Sequence, residues 1–294
     1  MINLIRKNYV FILFVLIILL MVIIKSVEYL LNNNKTLNKI VSNIINPLTF
    51  IKYEDFKSKY PIVNLSVPIY VFYHICSKNM DIVQEQIAQI VASGLYAKAT
   101  RLYYGCNCSG CDTILTNYMR SYSKFQPMNE AILPDKKSYE NETINSMIRI
   151  AKESKQKFYA LYIHTKGTSA IGNNQQNWRR DMMYWLVNKY PICTDVLDRG
   201  FNTVGIFYTV GIFYTYHFIK RHYSGNFFWA DSDYLAKLSP ISDVENRLNA
   251  EFILFSKYEE KKHVSLLTVN LTGGSFYTIN PNIDKDAPLE LSII

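Results

Sequence analysis

The residues His164-Thr165-Lys166-Gly167-Thr168-Ser169 put an imidazole, an ammonium and a flexible backbone position directly after the apolar run 158–163 (FYALYI). Such a run reads as a buried strand that delivers polar groups to the carboxyl edge of a sheet, where open α/β sheets bind ligands. An imidazole, Lys166 and Gly167 together suit an anionic ligand such as a nucleotide diphosphate. Taken alone, the six residues also describe an ordinary polar loop after a strand. Trp178-Arg179-Arg180-Asp181 follows at the start of a helical pattern. The guanidinium pair could grip phosphate and Asp181 suits a first helical turn, against the plain alternative of a solvated turn with Trp178 in the core. In 222–230 (HYSGNFFWA), Ser224 and Gly225 let a ligand approach the backbone and Asn226 offers a donor and an acceptor. Trp229 offers a flat face for a sugar or base. Asp231-Ser232-Asp233 has the form of an Asp-x-Asp site for Mn2+ or Mg2+, and Asp231 is equally an N-cap for the helix carrying Tyr234, Leu235 and Leu238.

The elements that must position these groups alternate. Strands are expected at 69–74, 100–104, 128–133 and 158–163. Helices are expected at 81–93, from about 112, at 139–155 and at 177–189. Gly94 stops the first helix. This order predicts an α/β domain with right-handed βαβ units, a mostly parallel sheet and flanking helices over 61–294. The hexapeptide VGIFYT occurs twice in tandem, at 204–209 and 210–215. Its even length preserves strand alternation, and it reads as a duplication that lengthened a strand or loop.

Residues 8–24 (NYVFILFVLIILLMVII) carry no charge and predict a transmembrane signal anchor within 1–25, followed by a stem over 26–60. Arg6 and Lys7 place the short tail in the cytoplasm, so the bulk is expected to be lumenal or extracytoplasmic, in type II orientation. The net charge of +8 is dispersed, and no zinc-finger, RNA-recognition or helix-turn-helix pattern accompanies it. Membrane and anionic-substrate partners fit that charge, and nucleic acid does not. Of the five cysteines, Cys106, Cys108 and Cys111 form a C-x-C-x2-C cluster. It could supply three thiolates to zinc, without a fourth ligand nearby in sequence, or a disulfide. The sequons at Asn34, Asn64, Asn107, Asn141 and Asn270 matter only on the lumenal side.

Tyr73-His74, residues 93–96 (SGLY), residues 164–167 (HTKG), Trp178-Arg179, residues 224–230 (SGNFFWA) and Arg247…Glu251 keep one order along the chain. Over about 68–255 this set resembles the rhamnan-synthesis-F-like glycosyltransferases, a group similar to the GT-A-type nucleotide-sugar transferases. The resemblance implies a GT-A-like, Rossmann-like domain that moves a sugar from a nucleotide-sugar donor to a glycan or glycoconjugate acceptor. It further implies that Lys166, Gly167, Arg179, Arg180, Ser224, Gly225, Asn226 and Trp229 hold the donor. Lys166 and the arginines would neutralise the leaving diphosphate, and Glu251, Asp231 or His164 would take the acceptor's proton. The metal-holding Asp-x-Asp that such enzymes carry after an apolar strand is replaced here by His164 and Lys166. The alternative is an inert, membrane-anchored protein of the same fold with a binding or structural role.

Overall fold

The computed structural model describes residues 48–108, 111–133, 138–165, 173–213, 218–267 and 288–294, together with 21, 25 and 26. Leu48–Val269 with Tyr277–Ile294 form one compact unit. A second unit, Met1–Pro47 with Asn270–Phe276, is described only at 21, 25 and 26, which are helical. The anchor expected at 8–24 therefore lies outside the described residues, and among those described no helix is long and apolar enough to cross a membrane.

Eleven strands are described: β1 (Thr49–Lys52), β2 (Ile69–Ile75), β3 (Arg101–Cys106), β4 (Phe125–Ile132), β5 (Tyr159–His164), β6 (Thr203–Gly205), β7 (Tyr208–Phe213), β8 (Phe218–Tyr223), β9 (Phe228–Asp231), β10 (His263–Ser265) and β11 (Glu290–Ile293). Nine of them form one sheet in the order β1-β11-β10-β6-β9-β5-β2-β3-β4, while β7 and β8 pair separately. β2, β3, β4 and β5 run parallel, and only β9 and β11 oppose the common direction. The expected α/β class and dominant parallel direction are thus present in a mixed sheet.

β2 (IYVFYHI) and β5 (YALYIH) are buried at every position, as parallel strands covered on both faces must be. One face carries α2 (Met80–Ala92), α6 (Asn173–Met183) and α7 (Tyr190–Asp198), packed on Val71, Tyr73, Leu161, Ile163 and Trp229. The other carries α5 (Asn141–Glu153), whose Ile144, Met147 and Ile148 meet Phe72, Tyr162 and Phe228. α2 begins where Asn79 accepts the Ile82 amide at 3.4 Å and ends before Gly94, whose φ of 82° turns the chain out of the helix.

Three features differ from the sequence reading. Residues 49–59, read as stem, form β1 and the helix α1 (Tyr53–Lys59), pinned to the body by buried Phe56 and by the Tyr53 hydroxyl on Asp195 at 2.8 Å. Residues 228–231, whose Trp229 is expected to offer its face to a sugar or base, are strand β9, buried throughout between β5 and β6. The two copies of VGIFYT take different structures: Val204 and Gly205 lie inside the large sheet, while the second copy runs into the β7–β8 hairpin.

Gly205 lies under the ring of Tyr223, where an added Cβ would stand 2.3 Å from the nearest ring carbon. The Tyr223 hydroxyl in turn bonds Thr203 at 2.9 Å and donates to the Val264 carbonyl at 2.9 Å, tying β6 and β10 together. Gly205→Ala is expected to cost about 1–3 kcal/mol by overpacking this contact, read as a lower midpoint in urea with an unchanged slope.

Candidate functional site

Strand order points to the carboxyl ends of β2 and β5. From β2 the chain winds outward through β3 and β4, then returns to lay β5 on the other side of β2. The winding reverses between β2 and β5, and ligands of open α/β sheets bind at the carboxyl ends flanking such a reversal. The residues delivered there are His74 and His164, which are register partners. Thr165 stitches the two strand ends together: its amide donates to the His74 carbonyl at 3.1 Å, and its hydroxyl accepts the Cys76 amide at 2.7 Å.

His164 Nε2 meets the Gly225 carbonyl at 2.8 Å, and Nδ1 meets Glu140 at 3.1 Å. A carbonyl only accepts, so Nε2 carries the proton of that contact, while Nδ1 faces the Glu140 carboxyl. Both nitrogens are engaged, which suits His164 to positioning the strand end rather than to accepting a substrate proton. Gly225 can only be glycine. Its φ is 94°, and a Cβ would lie 2.5 Å from the Met182 sulfur and 3.2 Å from the Trp178 ring of α6. His164, Trp178 and Gly225, one residue from each of the predicted HTKG, WRR and SGN segments, are therefore neighbours.

Under His164, Gln86 of α2 accepts the Tyr73 hydroxyl at 2.8 Å and donates to the His164 carbonyl at 3.1 Å. Beside Gln86, Glu85 binds Arg179 at 2.8 Å and Arg180 at 3.0 Å. Burial would raise the Glu85 carboxyl, but the two guanidiniums outweigh it and hold it below the usual range. Glu85 thus faces two guanidiniums at once. Arg179 is buried, while the Arg180 side chain is 57% exposed. Lys166 and Gly167 lie outside the described residues.

The Tyr162 hydroxyl and Asn226 Nδ2 are among the buried donors that have no partner among the described residues, as are Trp185 Nε1 and Arg221 Nε. Tyr162 lies two positions before His164 on the same strand face, and Asn226 directly follows Gly225 in a left-handed conformation, with φ of 57°. Burial, and behind it the charge of Glu140, keeps the Tyr162 phenol protonated well above its ordinary range. Buried polar groups are ordinarily satisfied, so a pair left open beside a strand end suits a ligand rich in acceptors.

The remaining predicted residues lie elsewhere. Asp231 pairs with Tyr159 at the opposite end of β5 from His164, because β9 runs antiparallel to β5. Five strand positions separate those levels, about 16 Å. There Asp231 caps α8 (Ser232–Leu235) by accepting the Asp233 amide at 2.8 Å, and Lys157 binds Asp231 at 2.7 Å and Asp233 at 3.3 Å. This is the N-cap alternative, and the two carboxylates do not suit a Mn2+ or Mg2+ ion in the crevice. Trp229 is fully buried, with its indole N–H donated to the Leu186 carbonyl at 2.8 Å, so its ring packs core rather than sugar. Ser224 is buried too, its hydroxyl 2.8 Å from that of Thr209. Glu251 is half-buried in α9 (Leu248–Phe252), which packs on α5. Among the described sequons, the amides of Asn64, Asn107 and Asn141 all bond backbone carbonyls.

Sequence reasoning missed Glu140, Tyr162, Gln86 and the Glu85 clamp. Glu140 alone carried a signal, as a carboxylate at the onset of helical periodicity after an expected strand. His74, at the end of β2, bonds Thr143 at 2.8 Å, an approach that bare Gly105 permits, since a Cβ there would lie 2.2 Å from the Thr143 hydroxyl.

The described unit is thus an open α/β domain with buried polar groups at its switch point. The chain belongs to the family described as Domain of unknown function (DUF8361), whose model matches residues 70–273, from β2 past β10. No curated protein matches it.

Burial pushes His74 down to about 4, with His164 adding to that effect and Glu140 opposing it; burial takes His263 to about 3. Unfolding returns each ring to its ordinary value near 6.5, so the unfolded chain binds more protons at pH 4–6.5. Stability is therefore full above pH 6.5 and falls as pH drops towards 4, by about 3 kcal/mol from His74 alone. Urea midpoints at pH 7 and pH 5 are expected to show this, and His74→Asn, which keeps a partner for Thr143, to flatten the dependence.

Proposed function

We propose that this protein is a glycosyltransferase-like protein of GT-A-type fold, which takes a nucleotide-sugar in the β2–β5 crevice and passes the sugar to a glycan or glycoconjugate. The observation that carries the reading is the pair of unsatisfied buried donors, Tyr162 and Asn226, beside a strand end already braced by Glu140, Gln86 and Gly225. Acceptor oxygens of a sugar or diphosphate satisfy such donors. The guanidiniums of Arg179 and Arg180, held by Glu85, together with Lys166 meet the charge of a leaving diphosphate. Glu251 is the carboxylate left to accept a proton from the acceptor hydroxyl, since Asp231 and Asp233 are committed to Lys157. In this reading residues 8–24 anchor the chain in type II orientation, with the domain lumenal or extracytoplasmic.

The second reading, an inert binding protein of the same fold, is favoured by the engagement of both His164 nitrogens. Calorimetric titration of the full chain with UDP-, GDP- and dTDP-sugars, with and without Mn2+, separates the two. One donor class is expected to bind, and Tyr162→Phe, Asn226→Ala and Lys166→Ala each to weaken it roughly tenfold or more. Release of nucleoside diphosphate, lost in Glu251→Gln, marks the enzyme; binding without release marks the inert form. Absence of binding to every donor overturns both.

A further inference from the structure

The cysteines at the carboxyl ends of β2 and β3 form a cluster that the crevice chemistry leaves unused. Cys106 ends β3, and Cys106 and Cys111 are joined by a disulfide. The Cys108 sulfur stands 3.9 Å from each of them, and all three sulfurs lie within 4.8 Å of one another. The sequence offers no fourth ligand near this C-x-C-x2-C motif, but the fold does. Cys76, one residue beyond β2, lies outside that trio but beside it: its neighbour Ile75 pairs with Cys106 across the parallel β2–β3 seam, and its other neighbour, Ser77, gives its amide to the Cys108 sulfur at 2.9 Å.

We propose that the reduced chain binds one Zn2+ through Cys76, Cys106, Cys108 and Cys111, and that closing the Cys106–Cys111 disulfide releases it. A tetrahedral zinc with Zn–S bonds of about 2.3 Å has sulfur–sulfur edges of about 3.8 Å. Two edges of the cluster already have that length at 3.9 Å. Thiolate is the ligand class that selects a soft, closed-shell ion of this kind. Backbone donors are in place around the sulfurs: the Ser77 amide meets Cys108 at 2.9 Å, and the Cys108 amide meets Cys111 at 3.1 Å. Such N–H groups disperse thiolate charge and orient metal ligands. Cys106, Cys108 and Cys111 are buried, so an ion held here is closed off from water, as structural zinc sites are.

The release step balances as a two-electron exchange. The thiolates of Cys106 and Cys111 give up an electron pair as their S–S bond forms. A small disulfide oxidant such as oxidised glutathione takes it as its own S–S bond breaks into two thiolates, through a mixed disulfide. Cys76 and Cys108 alone then hold the ion weakly, and it leaves as they take protons from solvent. Cys76 also donates its amide to Thr165, so loss of the ion is transmitted to the β2–β5 stitch.

The test uses the full-length chain, reduced with a phosphine, loaded with Zn2+ and freed of excess metal, with zinc counted by mass spectrometry. About one zinc per chain is expected when reduced and close to none after oxidised glutathione closes the disulfide. Cys76→Ser is expected to weaken binding at least roughly tenfold, while Cys193→Ser, whose thiol is buried on α7 at the Trp185 carbonyl, leaves it unchanged. Co2+ in place of Zn2+ on the unaltered chain is expected to give thiolate-to-metal charge-transfer absorption that disappears on oxidation. Failure of the reduced chain to hold stoichiometric zinc, Cys76→Ser binding as well as wild type, or zinc retained with the disulfide closed would each overturn the proposal.

Discussion

The hydrogen bond from His164 Nε2 to the Gly225 carbonyl organises the upper edge of this molecule. It joins the end of a parallel strand to a tight turn sixty-one residues later in the chain, and that turn delivers β9 back into the sheet against β5. Gly225 must be bare for the turn to pass beneath Met182 and Trp178. The same contact thus sets where α6 sits, and α6 in turn carries the arginine pair clamped by Glu85. A buried imidazole with acceptors on both nitrogens is an expensive group to leave half-satisfied, so the elements around it are fixed together or not at all.

Around that bond the two faces of the sheet divide the labour. On the α2 and α6 face, Gln86 and Glu85 hold the backbone and the guanidiniums; on the α5 face, Glu140 and Thr143 hold the two histidines. Each bracing group comes from a helix that opens or runs near the strand carboxyl ends, the usual provenance of groups at a switch-point crevice. Burial holds the second histidine, His74, well below its ordinary range, so that ring resists charge.

Much of this was legible in the sequence, for identifiable reasons. Fully buried parallel strands leave continuous apolar runs, so β2 and β5 stood out, as did Gly94 at the end of α2. The polar edge after 158–163 was legible for the same reason: the run stops abruptly. Strand direction leaves no such mark. The segment carrying Trp229 and Asp231 has the composition of a strand and the residues of a binding loop. Because β9 runs antiparallel, the acid pair is carried to the far edge and the indole into the core. Nor does local spacing reveal Glu140, Gln86 or Cys76, whose partners His164, His164 and Thr165 lie 24, 78 and 89 positions away and meet them only through the sheet order. The early start of the unit at β1 was hidden because a four-residue edge strand closed by β11 depends on the opposite end of the chain.

The tandem hexapeptide has a consequence for how this edge of the sheet is registered. With the threonine ahead of it, each copy reads Thr-Val-Gly-Ile-Phe-Tyr, at 203–208 and again at 209–214. The first now fills the slot between β9 and β10, where Thr203 meets Tyr223 and His263. Sliding the chain by six residues would present the same six side chains to that slot and feed the surplus into the preceding connection instead of the hairpin. Inward and outward faces would not change, since the shift is even. Selection between the two threadings falls to residues just outside the duplication, chiefly Asn202, whose amide reaches Glu259 at 3.1 Å and whose backbone bonds Lys262 and Asp231. A stretch of chain that is redundant in sequence is thereby made unique by its borders.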